Sequence, residues 1–248
     1  MIYIQADDSG MPHHFDAACA LYGAKDSNSN YSLITLDRLS NMFNNRPVSV
    51  RSNLFVGSID FMQEVFRLAE CDVPSLPHNS DRPSEVSTIQ QVMDRIRTGE
   101  KLFVKPAGTN TKRFTGVFVK TDADARSIQG EPSDAVLVYQ PFAHEIVSEW
   151  RIYVHRISAI SRYKVADAHC YSGDPLVAPD SAWVADRLLW SYDKGFPCAM
   201  TMDVAVLQNS DHVIVEFNDM WAIGNYGIPN DLYLRLLYDR YGEIMRKA

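Results

Sequence analysis

The chain has 248 residues, 46% of them apolar and 11% aromatic, with twelve Gly and twelve Pro scattered without period. That composition excludes disorder, collagen and coiled coil, and no recurring unit marks a solenoid or propeller. Its 24 Lys and Arg against 31 Asp and Glu leave a net charge of −7, which repels a phosphate backbone and disfavours general nucleic-acid binding.

The start, Met1-Ile-Tyr-Ile-Gln-Ala-Asp-Asp, lacks the basic and long apolar regions of a signal peptide. No stretch approaches the ~20 apolar residues of a membrane span, so a cytoplasmic protein without a membrane partner is expected. Cys19, Cys71, Cys170 and Cys198 lie far apart, with neither a CxxC pair nor a His at zinc-finger spacing, and read as reduced thiols.

Ile2-Tyr-Ile is a short strand, His13 to Gly23 a helix stopped by glycine, and Tyr31 to Leu36 a second strand. Leu54-Phe-Val is a third, and Ile59, Met62, Val65, Phe66 and Ala69 recur at helical spacing over Ile59 to Glu70. These elements form a small α/β domain over 1–83. The Pro-rich, aperiodic stretch from Cys71 to Pro83 is the linker, and a second, α+β domain covers 84–248.

In that domain Ser84 to Thr98 is predicted as a helix stopped by Gly99. Strands are predicted at Leu102–Lys105, Gly116–Lys120, Val136–Gln140, Glu149–His155, Ile157–Lys164, Met200–Gln208 and His212–Asn218. One helix interrupts them from Asp180 to Gly195, and a last helix runs from Asp231 to Met245.

Three groups of residues carry chemistry. From Lys101 to Lys120 five cations, Lys101, Lys105, Lys112, Arg113 and Lys120, stand without a carboxylate. Two strands joined by a polar loop there can fold over a polyphosphate, with Lys105 in the cleft; the segment also reads as a basic surface hairpin. Next, a tight turn at Asn209-Ser-Asp places Asp203 opposite a position between Glu216 and Asn218. Glu216 and Asn218 share one strand face. Three hard oxygen donors at one hairpin suit Mg²⁺, or else form a solvated strand face.

Third, Glu149 and Arg151 share a face, as do Arg162 and Lys164. A tight turn at His155-Arg156 would set Arg151 close to Arg162, an arrangement that needs an anion between them. A solvated face on which Glu149 neutralises Arg151 is the competing reading.

Taken in order, Phe103-Val-Lys105-Pro, Val136-Leu-Val-Tyr-Gln-Pro-Phe142, Glu149-x-Arg151, Met-Asp203-Val and Glu216-x-Asn218 resemble the ATP-grasp fold. In that fold two α+β lobes hold MgATP between them, here preceded by the small α/β domain. The likeness covers roughly Leu102 to Gly227. The segment Glu216 to Gly227 with Glu149-Trp-Arg151 resembles a small bacterial and phage clade that modifies peptides and is related to ribosomal-protein glutamate ligases. The resemblance implies an ADP-forming carboxylate–amine ligase acting through an acylphosphate on a peptide, protein or amino acid, with a small-molecule kinase or a nucleotide-binding module as alternatives. It implies ATP contacts from Lys105, Lys112, Tyr139, Gln140, Phe142, Glu149 and Lys164. It further implies that Arg151 and Arg162 steady the transferred phosphate and that Asp203, Glu216 and Asn218 bind Mg²⁺. The loop from Ala107 to Thr115 has one glycine where many relatives have several.

Overall fold

The structure, a computed structural model, describes residues 1–45, 50–72, 76, 80–107, 116–128, 133–156 and 162–247. It contains two compact units, Met1–Asn79 together with Val147–Ala248, and Ser80–Ile146.

The first unit begins with β1 (Ile2–Gln5), α1 (Phe15–Asp26), β2 (Tyr31–Ile34), α2 (Leu36–Asn45), β3 (Leu54–Val56) and α3 (Ile59–Leu68). The strands are parallel in the order β2-β1-β3, the pattern expected when helices connect successive strands. α1 continues past Gly23 to Asp26. Gly23 is a packing point instead of a stop, because a Cβ there would run into the Asn230 carbonyl. The helix α2 replaces the end of the strand predicted to reach Leu36; its Leu39 is buried, and Met42 and Phe43 pack on the same cluster.

The second unit holds β4 (Ser84–Thr88), α4 (Ile89–Arg97), β5 (Leu102–Pro106), β6 (Val117–Val119), α5 (Asp122–Ser127) and β7 (Ala135–Tyr139), with an antiparallel sheet ordered β4-β7-β5-β6. The helix predicted over Ser84–Thr98 is a strand for its first five residues, paired from Ser84↔Tyr139 to Thr88↔Ala135. Thr88 is the reason for the switch. Its Oγ1 accepts the Gln91 N–H at 3.2 Å, and Gln91 Oε1 accepts the Thr88 N–H at 2.8 Å, a reciprocal cap that starts α4 there. Val92, Ile96, Leu102, Val104 and Val138 form this unit's own core.

The chain then returns to the first unit with β8 (Ile146–His155), β9 (Lys164–Gly173), α6 (Ser181–Asp193), β10 (Ala199–Leu207), β11 (His212–Asp219) and α7 (Asn230–Lys247), the sheet order being β11-β10-β8-β9. On one sheet face α6 packs Val184 and Leu188 against Ile152, Val154, Met202 and Ile214. Tyr153 and Ala199 join a separate cluster in which Ile4, Phe55 and Phe61 meet Leu236, Trp221 and Tyr241. That shared apolar cluster groups the leading residues with 147–248. Compactness thus partitions the chain differently from the 1–83 and 84–248 segments. Among the described residues the four cysteines are free, and no helix is long and apolar enough to cross a membrane.

Candidate active site

The site grows from the β10–β11 hairpin. Its turn uses Ser210 at φ +69°, and Asn209 accepts the Asp211 N–H at 3.1 Å, which fixes the reversal locally. The resulting register sets Met202 opposite Phe217 and Asp203 opposite Glu216, with a bulge between Asp203 and Val204. Strand alternation gives Met202 to the cluster under α6 and turns Asp203 and Glu216 to the other face.

Asp203 has no exposed surface, so its carboxylate needs a partner. Arg151 supplies it from the neighbouring strand β8. Its Nε donates to Asp203 Oδ1 at 2.8 Å and its Nη2 to Oδ2 at 2.6 Å, and only 5% of Arg151 is exposed. Burial pushes the Asp203 carboxyl up, to about 6, against the pull of Arg151; Glu216 and Glu149 add to the upward push. Burial also works against the Arg151 charge, but the bonds to Asp203 outweigh it.

The third nitrogen, Arg151 Nη1, is buried with no hydrogen-bond partner among the described residues. Tyr226 and Tyr171 cover the guanidinium, their ring centroids 4.1 and 5.4 Å from its carbon. Both tyrosines are anchored. The Tyr226 N–H donates to Tyr153 Oη at 3.1 Å, Tyr153 donates to the Gly224 carbonyl at 2.9 Å, and the Tyr171 hydroxyl donates to Glu149. Asp16 at the start of α1 accepts the Asn225 N–H at 2.7 Å, which ties the same loop to α1.

The donors are of the right chemistry for Mg²⁺. Among the described residues no three His, Cys, Asp or Glu side chains are grouped to hold a metal, so a cation here depends on Asn218 as the third donor. Asn218 Nδ2 stands 3.3 Å from Asp203 Oδ2 and 3.2 Å from Glu216 Oε1, bridging the two acids. Turning the amide over sets its oxygen beside both carboxylates. The set then consists of hard oxygens alone, as Mg²⁺ requires.

In the second unit Lys105 lies on β5, with Nζ 5.6 Å from the Phe103 ring centroid. Tyr139 ends β7, and the Gln140 N–H donates to the Pro83 carbonyl at 3.3 Å. Nothing in the sequence marks Arg82, a single cation within the stretch read as the linker. Yet it is 6% exposed, and its guanidinium lies 4.9, 4.9 and 4.7 Å from the rings of Phe103, Tyr139 and Phe142. Arg82 therefore joins Lys105, Tyr139 and Phe142 in one cluster. Lys112 lies outside the described residues.

Arg162 and Lys164 are not brought to Arg151. β8 continues to His155, β9 begins only at Lys164, and the register pairs His155↔Lys164 and Arg151↔His169. A tight turn at His155-Arg156 is therefore corrected to a longer connection, of which residues 157–161 lie outside the described set. Both cations instead line a cavity beside α6. Tyr171 and Tyr226 are neighbours of Arg151 that residue spacing does not reveal; Tyr226 stands in Gly224-Asn-Tyr-Gly227.

Residues 80–236 match the family described as ATP-grasp domain, R(2)K clade family 2. Among solved structures, N5-carboxyaminoimidazole synthetase from Staphylococcus aureus has a TM-score of 0.53 at 11% identity, over 96% of this chain and 77% of that one. The same synthetase complexed with ADP gives 0.54 at 10% identity, over 97% and 77%. D-alanyl-alanine synthetase A from Vibrio cholerae gives 0.50 at 11%, over 100% and 98%. At such identities the likeness is one of fold. No curated protein matches the chain in sequence.

Proposed function

From the premise that the chain belongs to this ATP-grasp domain family, clade family 2, and has the ATP-grasp fold, we propose that it is an ADP-forming carboxylate–amine ligase using ATP and Mg²⁺ on a peptide, protein or amino acid in the cytoplasm. The observation that carries this reading is the buried Arg151, clamped by Asp203, which Asn218 bridges to Glu216, and left with its Nη1 amino group unpaired among the described residues. A fixed cation with a spare donor suits a phosphoryl group that gathers negative charge as it is transferred.

In this reading Asp203 does not react; it holds Arg151 in one orientation, and Tyr226 keeps water off the guanidinium's face. Asp203, Glu216 and Asn218 would hold Mg²⁺, which when bound would neutralise phosphate oxygens. In the other unit Arg82 and Lys105 would face nucleotide phosphates, with Lys112 adding charge. Tyr139, Gln140 and Phe142 would border the base, and Glu149 would meet the ribose or orient Arg151 through its own strand face. The chemistry balances as two steps. A substrate carboxylate oxygen takes the γ-phosphoryl group and ADP leaves. An amine then attacks the carbonyl carbon, inorganic phosphate departs with that oxygen, and the nitrogen gives up a proton. Neither step calls for a protein nucleophile.

The test is a screen of amino acids and peptides, in pairs, for ADP release that depends on MgATP, followed by mass measurement of the product. An amide product with stoichiometric ADP and phosphate supports the ligase. Phosphorylated product without an amide selects a kinase, and nucleotide binding without turnover selects a binding module.

A further inference from the structure

A cavity of about 540 Å³ lies beside α6, between that helix and the strands β8 and β9. It is a different place from the site above. Trp150, Ile152 and Ala168 form its floor, and the register puts Ala168 opposite Ile152, on the sheet face that α6 covers. Arg151 and Asp203 alternate to the other face. Val184 and Leu188 of α6 form the roof. The volume falls within the range of small-molecule sites.

Three features distinguish the cavity from an ordinary packing gap. First, its walls are fixed by hydrogen bonds: Trp150 Nε1 donates to the Val177 carbonyl at 3.0 Å, and the Tyr163 hydroxyl to the Pro197 carbonyl at 3.0 Å. Second, apolar side chains stand open at it, Val165 being 46% and Leu189 44% exposed. Third, its charge is one-sided. Arg162 and Lys164 line it, while no Asp or Glu is among the described lining residues, in a chain whose net charge is −7. A neutral apolar ligand would leave those two cations without a role, whereas an anionic head beside them completes the pocket.

We propose that this cavity binds an amphipathic carboxylate, its hydrocarbon chain lying between α6 and β9 and its anionic head meeting Arg162 and Lys164. The assignment is independent of the ligase reading, since none of its residues belongs to the Arg151–Asp203 cluster.

Sodium decanoate, kept below its micelle concentration, is the probe, and calorimetric titration of the full chain is the measurement. Saturable binding of one molecule per chain is expected. Decanol should bind more weakly, and the double variant Arg162→Gln/Lys164→Gln should weaken decanoate by about tenfold, as loss of charge-assisted contacts implies. Ala168→Trp, which fills the floor from an exposed position, should abolish binding while circular dichroism stays that of the parent. If the double variant does not fold, the decanoate–decanol comparison and Ala168→Trp decide the matter. Absence of saturable binding, equal affinity for decanol, or indifference to Ala168→Trp overturns the proposal. So does a dimer in sedimentation that Ala168→Trp dissociates and decanoate does not, because the occupant is then a second copy.

Discussion

Arg151 and Asp203, 52 residues apart in the chain, form a two-point ion pair at 2.8 and 2.6 Å in which both side chains are buried. Removing one partner strands the other charge in a low-dielectric interior. Arg151→Met alone is therefore expected to cost about 3–5 kcal/mol of stability, and Arg151→Met with Asp203→Leu to recover most of it. Urea unfolding of the two single variants and the double variant reads the coupling; additive losses would show that the pair is not the unit.

Glu216 is half-buried and its partner across the hairpin is Asp203. Glu216→Gln keeps the shape but halves the paired negative charge, so it should leave the melting temperature nearly unchanged. Metal-dependent ADP release should fall by about 10–100-fold. A metal titration of turnover, set beside a thermal melt, separates this from loss of fold.

Lys105→Ala is expected to weaken nucleotide binding by about tenfold or more, the loss of one charge-assisted contact. Replacing Lys120, which is exposed, should have little effect, since salt screens exposed charges within ~8–10 Å. Equilibrium binding of an ATP analogue to both variants makes the comparison.

Gly23→Ala reverses the usual sign. In an exposed helix interior Ala is better than Gly by about 0.5–1 kcal/mol. Here the new methyl group would meet the Asn230 carbonyl and force α1 away from α7, so the variant should lose about 1–3 kcal/mol in urea unfolding.

Glu243 gives an acid-side dependence. Burial works against its charge, but the Cys198 N–H at 2.8 Å and Arg240 Nη1 at 3.0 Å hold the carboxyl below its ordinary value. A depressed folded pKa means that the stabilisation is complete above the unfolded value of ~4.3 and lost as pH falls through the folded one. The fall in urea midpoint between pH 6 and pH 3, about one to two decades either side of that value, should be smaller in Glu243→Gln than in the parent.

Local signals account for the hairpin that carries the acids. Its alternation and the turn residues Asn209-Ser-Asp specify both strands and bring Asp203 opposite a position from Glu216 to Asn218, while the pairing with Glu216 and the bulge after Asp203 are set by the folded hairpin. Ser84–Thr88 misleads for an equally physical reason. Five polar and β-branched residues have no periodicity of their own, and only pairing with β7 and the Thr88 cap separates them from α4. Arg82 carries no local signal either, because its aromatic surroundings come from two segments distant from it in the chain, Phe103 and Tyr139 to Phe142.

By itself the sequence determined the residue types, confined the partner of Asp203 to Glu216 through Asn218, and offered hard oxygen donors and clustered cations. Tertiary structure decided the partners. It gave Asp203 to Arg151 across adjacent strands, set Tyr226 over the guanidinium, and sent Arg162 and Lys164 to a cavity on another face. Alternation and turn geometry act over a few residues and can be read in order. The length of the β8–β9 connection and the pairing of distant strands depend on which apolar faces bury together, and that is a property of the folded whole.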